Sequence, residues 1–126
     1  FKSYYNLLNY IIENYKQEFT QLLDQAIVFA NGHTQNVFVL SIPDWGVTPF
    51  AHDRDRNKMA LEIDAYNAAN KEITQANKCN YLHITDSTRQ NGAVAEFLAE
   101  DGLHPSGKEY RIWERLAPLI ENILKG

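Results

Sequence analysis

Two short apolar runs, set apart by a helical pattern, constrain this chain most. Asn36-Val37-Phe38-Val39-Leu40-Ser41-Ile42-Pro43 is β-rich and nearly all apolar, as expected of a strand buried on both faces of a parallel sheet. Asn80-Tyr81-Leu82-His83-Ile84-Thr85 reads as a second strand leading into a polar loop. Helical periodicity precedes the first run, fills the space between the two and closes the chain. The order helix–strand–helix–strand–helix predicts an α/β layered fold, because parallel neighbours need a crossover connection and a helix supplies it.

The helices carry their own punctuation. Tyr15, Phe19, Leu22, Leu23, Ala26, Ile27 and Ala30 follow the 3.6-residue period and stop at Asn31-Gly32, a C-terminal signal. Tyr4, Tyr5, Tyr10 and Tyr15 are expected to be core and interface material. Asp44-Trp45-Gly46-Val47-Thr48-Pro49 is a loop by its Gly and Pro content. Asp53 or Asp55 caps the second helix, whose apolar face is Met59, Ile63, Tyr66 and Ile73, with Asn67 and Asn70 as a solvated or packing edge. Phe97 and Leu98 sit on a short turn or helix. Ser106 and Glu109 form a Ser-x-x-Glu capping box at the start of the last helix, which continues through Tyr110, Trp113, Leu116 and Ile120. Pro118 should kink or restart that helix.

Composition excludes several classes. At 126 residues the chain is one domain at most, and 44% hydrophobic with 22% charged residues is a globular balance. A net charge of −4 and a pI near 5.5 leave no basic footprint for nucleic acid. The single cysteine, Cys79, excludes an internal disulfide and a cysteine-rich metal cluster. No apolar run has the length of a membrane span and no signal-peptide pattern is present. The opening Phe1-Lys2-Ser3-Tyr4-Tyr5 reads as mid-domain sequence, so the 126 residues are expected to be part of a longer protein, with any export signal on the remainder; localisation stays open.

The chemistry concentrates near the C-terminus, in Asp101-Gly102-Leu103-His104-Pro105-Ser106-Gly107. A carboxylate three residues before an imidazole can orient and charge-balance a general base. Gly102 permits the backbone angles of a tight loop, Pro105 stiffens its exit, and the helix capped at Ser106 fixes its direction. Helix N-termini disfavour an imidazolium, and Asp101 would counter that.

This block resembles the last sequence block of the SGNH (GDSL-type) serine hydrolases, and Ser41-Ile42-Pro43-Asp44-Trp45-Gly46-Val47-Thr48-Pro49-Phe50 resembles one bacterial branch of them. The resemblance implies a flavodoxin-like parallel sheet of about five strands. Residues 1–126 would be the C-terminal portion of that domain, with its last two strands. It further implies ester hydrolysis through an acyl-enzyme, with Asp101 as orienter and His104 as base and with no metal or organic cofactor. The family's Gly-Asp-Ser block occurs nowhere in the chain. The nucleophile is therefore expected on another segment, and these residues alone are expected to be inactive. Ser41 lies in a buried strand, Ser106 is a helix cap, Ser87 stands in Thr-Asp-Ser-Thr after the second strand, and Ser3 belongs to a helix lead-in; none fits the nucleophile.

Trp45 follows the first strand at the carboxyl edge of the sheet, where it would either line an acyl or alcohol pocket or close the edge of the core. His33, His52 and His83 are scattered and lack metal-ligand spacing, so no metal site is expected. No glycine-rich phosphate loop is present. The expected partner is a small-molecule, lipid or sugar ester, and an incomplete sheet predicts self-association. The competing reading is a non-catalytic flavodoxin-like module that binds a partner through its open sheet edge.

Overall fold

The computed structural model of the protein describes residues 2–125. Phe1, and the Leu116 side chain expected on the last apolar helix face, lie outside what is described. Helix α1 (Lys2–Phe29) leads through a 3-10 turn (Thr34–Asn36) into strand β1 (Phe38–Leu40). Two more 3-10 turns (Trp45–Val47 and Pro49–Ala51) precede helix α2 (Arg56–Ala76), then strand β2 (Asn80–Leu82) and helix α3 (Thr85–Asn91). A turn at Ala95–Phe97 comes before helix α4 (Gly107–Trp113), the turn Glu114–Leu116 and helix α5 (Ala117–Lys125).

The strands pair in parallel, Phe38 with Asn80, Val39 with Tyr81 and Leu40 with Leu82. The unit β1–α2–β2 is therefore the crossover that the sequence pattern requires. Both strands are shorter than the apolar runs suggest. Leu40 is 45% exposed, so β1 is not buried on both faces as expected of an inner strand of a parallel sheet; among the described residues the sheet has two strands. Beyond β1 and β2 the chain turns into side-chain bonding in place of ladder bonding.

Helix α1 ends as its sequence indicates. Asn31 and Gly32 both take positive φ, 54° and 79°, and the Gly32 N–H donates to the Ile27 carbonyl at 2.9 Å. The core gathers Leu23, Val37 and Cys79 with Phe19, Ala26, Ile27, Val39 and Ile73 around them. Leu22, expected on the apolar face, is 63% exposed because Leu23 takes the inward position one residue on. Of the tyrosines, Tyr15 packs edge-on against Tyr66 with centroids 4.7 Å apart, while Tyr5 and Tyr10 are exposed.

Asp55, not Asp53, caps α2, its Oδ1 accepting from the Lys58 N–H at 3.0 Å. Asn67 and Asn70 are buried, so of the solvated or packing edge expected of them they form a packing one. Asn67 Oδ1 accepts the Ile42 N–H at 2.8 Å, and its Nδ2 donates to the Ile42 carbonyl at 3.2 Å and to Thr85 Oγ1 at 3.0 Å. Ser41 Oγ accepts the N–H groups of Ile84 at 2.8 Å and Thr85 at 3.1 Å. Asn70 continues the network, donating to Tyr15 at 3.2 Å and accepting from Tyr81 at 2.6 Å. Asn67 of α2 thus satisfies the backbone after β1, and Ser41 the backbone after β2, as a buried chain requires.

Helix α3 occupies what the sequence pattern reads as polar loop. Its Thr85 and Thr88 are buried, and Thr88 Oγ1 donates back to the Thr85 carbonyl at 2.7 Å. Pro118 sits in the first turn of α5, after the 3-10 turn that ends α4, so the last helix restarts as expected. Among the described residues no helix is long and apolar enough to cross a membrane.

Candidate active site

Asp101 and His104 meet. Residues 98–105 fold back on themselves through an antiparallel bridge between Leu98 and Pro105. The Ala99 N–H donates to the His104 carbonyl at 2.8 Å, and the Ser106 N–H donates to the Phe97 carbonyl at 2.9 Å. Gly102 turns the loop at φ 67°, a region that glycine enters without strain. Asp101 Oδ1 accepts the N–H groups of Leu103 at 2.9 Å and His104 at 3.0 Å, and Oδ2 pairs with His104 Nδ1. The His104 ring and the main-chain donors hold the Asp101 carboxyl at about 2, below the usual carboxylate range. Nε2 is the ring nitrogen left for other chemistry.

The helix after the loop is held differently from the expected capping box. Ser106 does cap α4, accepting the Lys108 N–H at 3.2 Å. Glu109 does not reach back to the Ser106 N–H, which is taken by Phe97. Instead Glu109 is 3% exposed. Its Oε1 accepts from Ser87 Oγ at 2.5 Å and Trp113 Nε1 at 3.1 Å, and Oε2 accepts from Asn91 Nδ2 at 3.1 Å. Three donors on a buried carboxylate outweigh one exposed box bond. Ser87, considered and set aside as a nucleophile, is therefore a donor that ties α3 to α4.

Trp45 lines the same cavity as His104. Asp44, 2% exposed, fixes the loop after β1: its N–H donates to Thr88 Oγ1 at 3.0 Å, and its Oδ1 accepts the Gly46 N–H at 2.9 Å. Its Oδ2 takes the Arg89 Nε–H at 2.9 Å, and Arg89 also reaches Asp64 at 2.8 Å. These two carboxylates raise the arginine above its ordinary value. A main-chain bond joins the two loops, the Phe50 N–H donating to the Gly102 carbonyl at 3.2 Å.

Between the loops lies a cavity of about 460 Å³ whose walls include Trp45, Phe50, Phe97, Leu98, Leu103 and His104. Its size falls in the range of small-molecule sites. Arg89, Glu109 and Phe50 were not legible as site residues. Arg89 and its partner Asp44 are 45 positions apart, and Glu109 carried a local signal that pointed to a different bond. His33 and His52 lie outside this cavity, and His83 Nε2 sits 3.3 Å from Asp86 on the surface. Among the described residues no three His, Cys, Asp or Glu side chains cluster as metal ligands would. Cys79 is buried in the core, where desolvation pushes its thiol up.

The family model for GDSL-like lipase/acylhydrolase matches residues 2–116. No curated protein and no solved structure matches the chain. An acid–histidine loop, a parallel β1–α2–β2 unit and that match, which spans nearly the whole sequence, agree: the chain belongs to the GDSL-like lipase/acylhydrolase family.

Proposed function

We propose that this chain supplies the acid–base half of a serine ester hydrolase. His104 Nε2 takes the proton of a serine hydroxyl as its oxygen attacks the ester carbonyl, then returns it to the leaving alcohol. Water attacks the resulting acyl-enzyme with the same base, and the carboxylic acid leaves. Asp101 fixes the ring and balances the imidazolium that forms at each step. The serine stands outside residues 1–126, since Gly-Asp-Ser is absent from them. It would arrive with the further parallel strands of a flavodoxin-like sheet, next to the exposed side of β1. Trp45 lines the pocket for the substrate's acyl or alcohol group.

The pairing of Asp101 Oδ2 with His104 Nδ1 at the rim of an apolar cavity carries this reading. The test is hydrolysis of a short p-nitrophenyl ester, and labelling by a fluorophosphonate, in the intact natural protein and in its His104→Ala variant. Turnover and labelling in the first, both lost in the second, are expected. A protein that neither hydrolyses nor labels overturns the proposal and leaves a binding module.

A further inference from the structure

His104 belongs to a piece of the fold that is densely bonded within itself. The Ala99 N–H bonds the His104 carbonyl, the Ser106 N–H bonds the Phe97 carbonyl, and Ser106 Oγ donates to the Glu96 carbonyl at 2.7 Å. Lys108 pairs with Glu96 at 2.6 Å and stands over the Phe97 ring, 4.8 Å from its centroid. The Asp101–His104 loop and the start of α4 are thereby joined as one body.

Hydrogen bonds tie that body down at two places. Among the described residues, the hydrogen bonds and ion pairs that join residues 95–125 to residues 2–91 are the Phe50 main-chain bond to the Gly102 carbonyl and the bonds of Ser87 and Asn91 to Glu109. Ser87 and Asn91 stand four residues apart on one face of α3, and both reach the same carboxylate. Trp113, four residues beyond Glu109, holds that carboxylate from its own helix. Three donors in fixed directions on one acceptor set both the distance and the rotation of α4 against α3. An apolar side chain there would fill the space and let the helices slide, because apolar burial has no preferred direction.

The cavity is shared across this junction. Trp45, Phe50 and Thr88 line it from one side, Leu103 and His104 from the other. Resting on the hydrolase reading above, we infer that Glu109 is a positioning residue for the base: through Ser87 and Asn91 it locks α4 on α3 and so sets where His104 stands at the cavity. It acts through the helix and not on the reacting atoms.

Three variants of the intact natural protein test this, with p-nitrophenyl acetate hydrolysis and amide hydrogen exchange as readouts. Glu109→Leu keeps the bulk and removes every bond. Ser87→Ala removes one bond, at a residue that does not line the cavity. Glu109→Gln can still accept from Ser87 and Trp113 and, with the Asn91 amide turned over, donate to it. The base serves acylation and deacylation alike, so a misplaced imidazole lowers kcat while KM holds. The expected fall in kcat is about thirtyfold for Glu109→Leu and about fivefold for Ser87→Ala, the latter with KM within about twofold of the parent. Glu109→Gln should recover kcat to within about threefold of the parent.

The Phe50 amide, bonded to Gly102 across the junction, is expected to exchange at least tenfold faster in Glu109→Leu and severalfold faster in Ser87→Ala. The Ala99 amide, bonded inside the loop, and the Asn80 amide, bonded to Val37 in the sheet, should keep the parent's rates. A kcat within twofold of the parent in both Glu109→Leu and Ser87→Ala overturns this role for Glu109. So does an unchanged Phe50 amide, or an equal acceleration of all three amides, which is general loosening of the fold. Should Glu109→Leu not fold, Ser87→Ala decides, since it leaves two donors on the carboxylate. A parent that hydrolyses no ester overturns the hydrolase reading instead, and the exchange contrast, which needs no turnover, still decides whether Glu109 seats the loop.

Discussion

Asp101 holds His104 at two places at once, its Oδ1 on the histidine main-chain N–H and its Oδ2 on the ring Nδ1. One carboxylate thus fixes both the turn of the loop and the rotation of the imidazole. Asp101→Asn keeps the size and one acceptor but removes the charge and offers the ring a donor. Turnover is expected to fall about a thousandfold or more, with an unchanged circular dichroism spectrum. Esterase activity within twofold of the parent would remove Asp101 from the mechanism.

The same contacts set a titration. Asp101 sits at about 2, through the His104 ring first and the N–H groups of His104 and Leu103 next. A carboxyl lowered in the folded state favours folding above its unfolded value near ~3.9, and that contribution fades as pH falls through about 2. The group is exposed, so the sensitive readout is local, the side-chain carboxyl carbon followed by NMR. In His104→Ala the midpoint is expected to rise toward the ordinary carboxylate range. A midpoint that stays near 2 would mean that the main-chain donors alone hold it.

Asp44 depends on Arg89 for its charge balance, since the carboxylate is buried and the guanidinium lies 2.9 Å away. Arg89→Met leaves that charge uncompensated and is expected to cost about 3 kcal/mol in urea unfolding. The conservative Arg89→Lys should recover part of it, because the ammonium cannot reproduce the fork to Asp64. A loss under about 1 kcal/mol for the methionine variant would show that the pair contributes little.

Glu109 gives a parallel case with hydrogen bonds. Glu109→Ala strands Ser87, Asn91 and Trp113, whose donors converge on its two oxygens. A loss of about 3 kcal/mol is expected by denaturant melt, with a smaller loss for Glu109→Gln. No loss for Glu109→Gln, which keeps the volume, would point to packing volume as the cause.

Two glycines should respond in opposite ways to alanine. A Cβ on Gly92 would lie 2.2 Å from Val47 Cγ2 and 2.6 Å from the Thr88 carbonyl oxygen, whereas one on Gly107 meets nothing within 4 Å. Gly92→Ala should destabilise by about 2 kcal/mol or more, and Gly107→Ala should be neutral or stabilise by up to about 1 kcal/mol. Thermal melting of both variants checks the contrast.

What the amino-acid order determined alone was whatever depends on neighbours a few positions apart. The Asn31-Gly32 stop, the break at Pro118 and the Asp101–His104 spacing all lie within that reach, where backbone geometry leaves few choices. Tertiary structure decided the rest. Asn67 and Asn70 read from the sequence only as a solvated or packing edge of α2, and packing against the strand ends made them the groups that satisfy Ile42, Thr85 and Tyr81. Glu109 carried the pattern of a capping box, yet burial beside α3 presented it with three better donors. Trp45 lines the histidine's cavity beside an Asp44 held by Thr88 and by Arg89, the latter 45 positions along the chain. A buried polar group bonds to whatever donor or acceptor the fold brings beside it, and for these residues that partner stands on a different element, which no local pattern names.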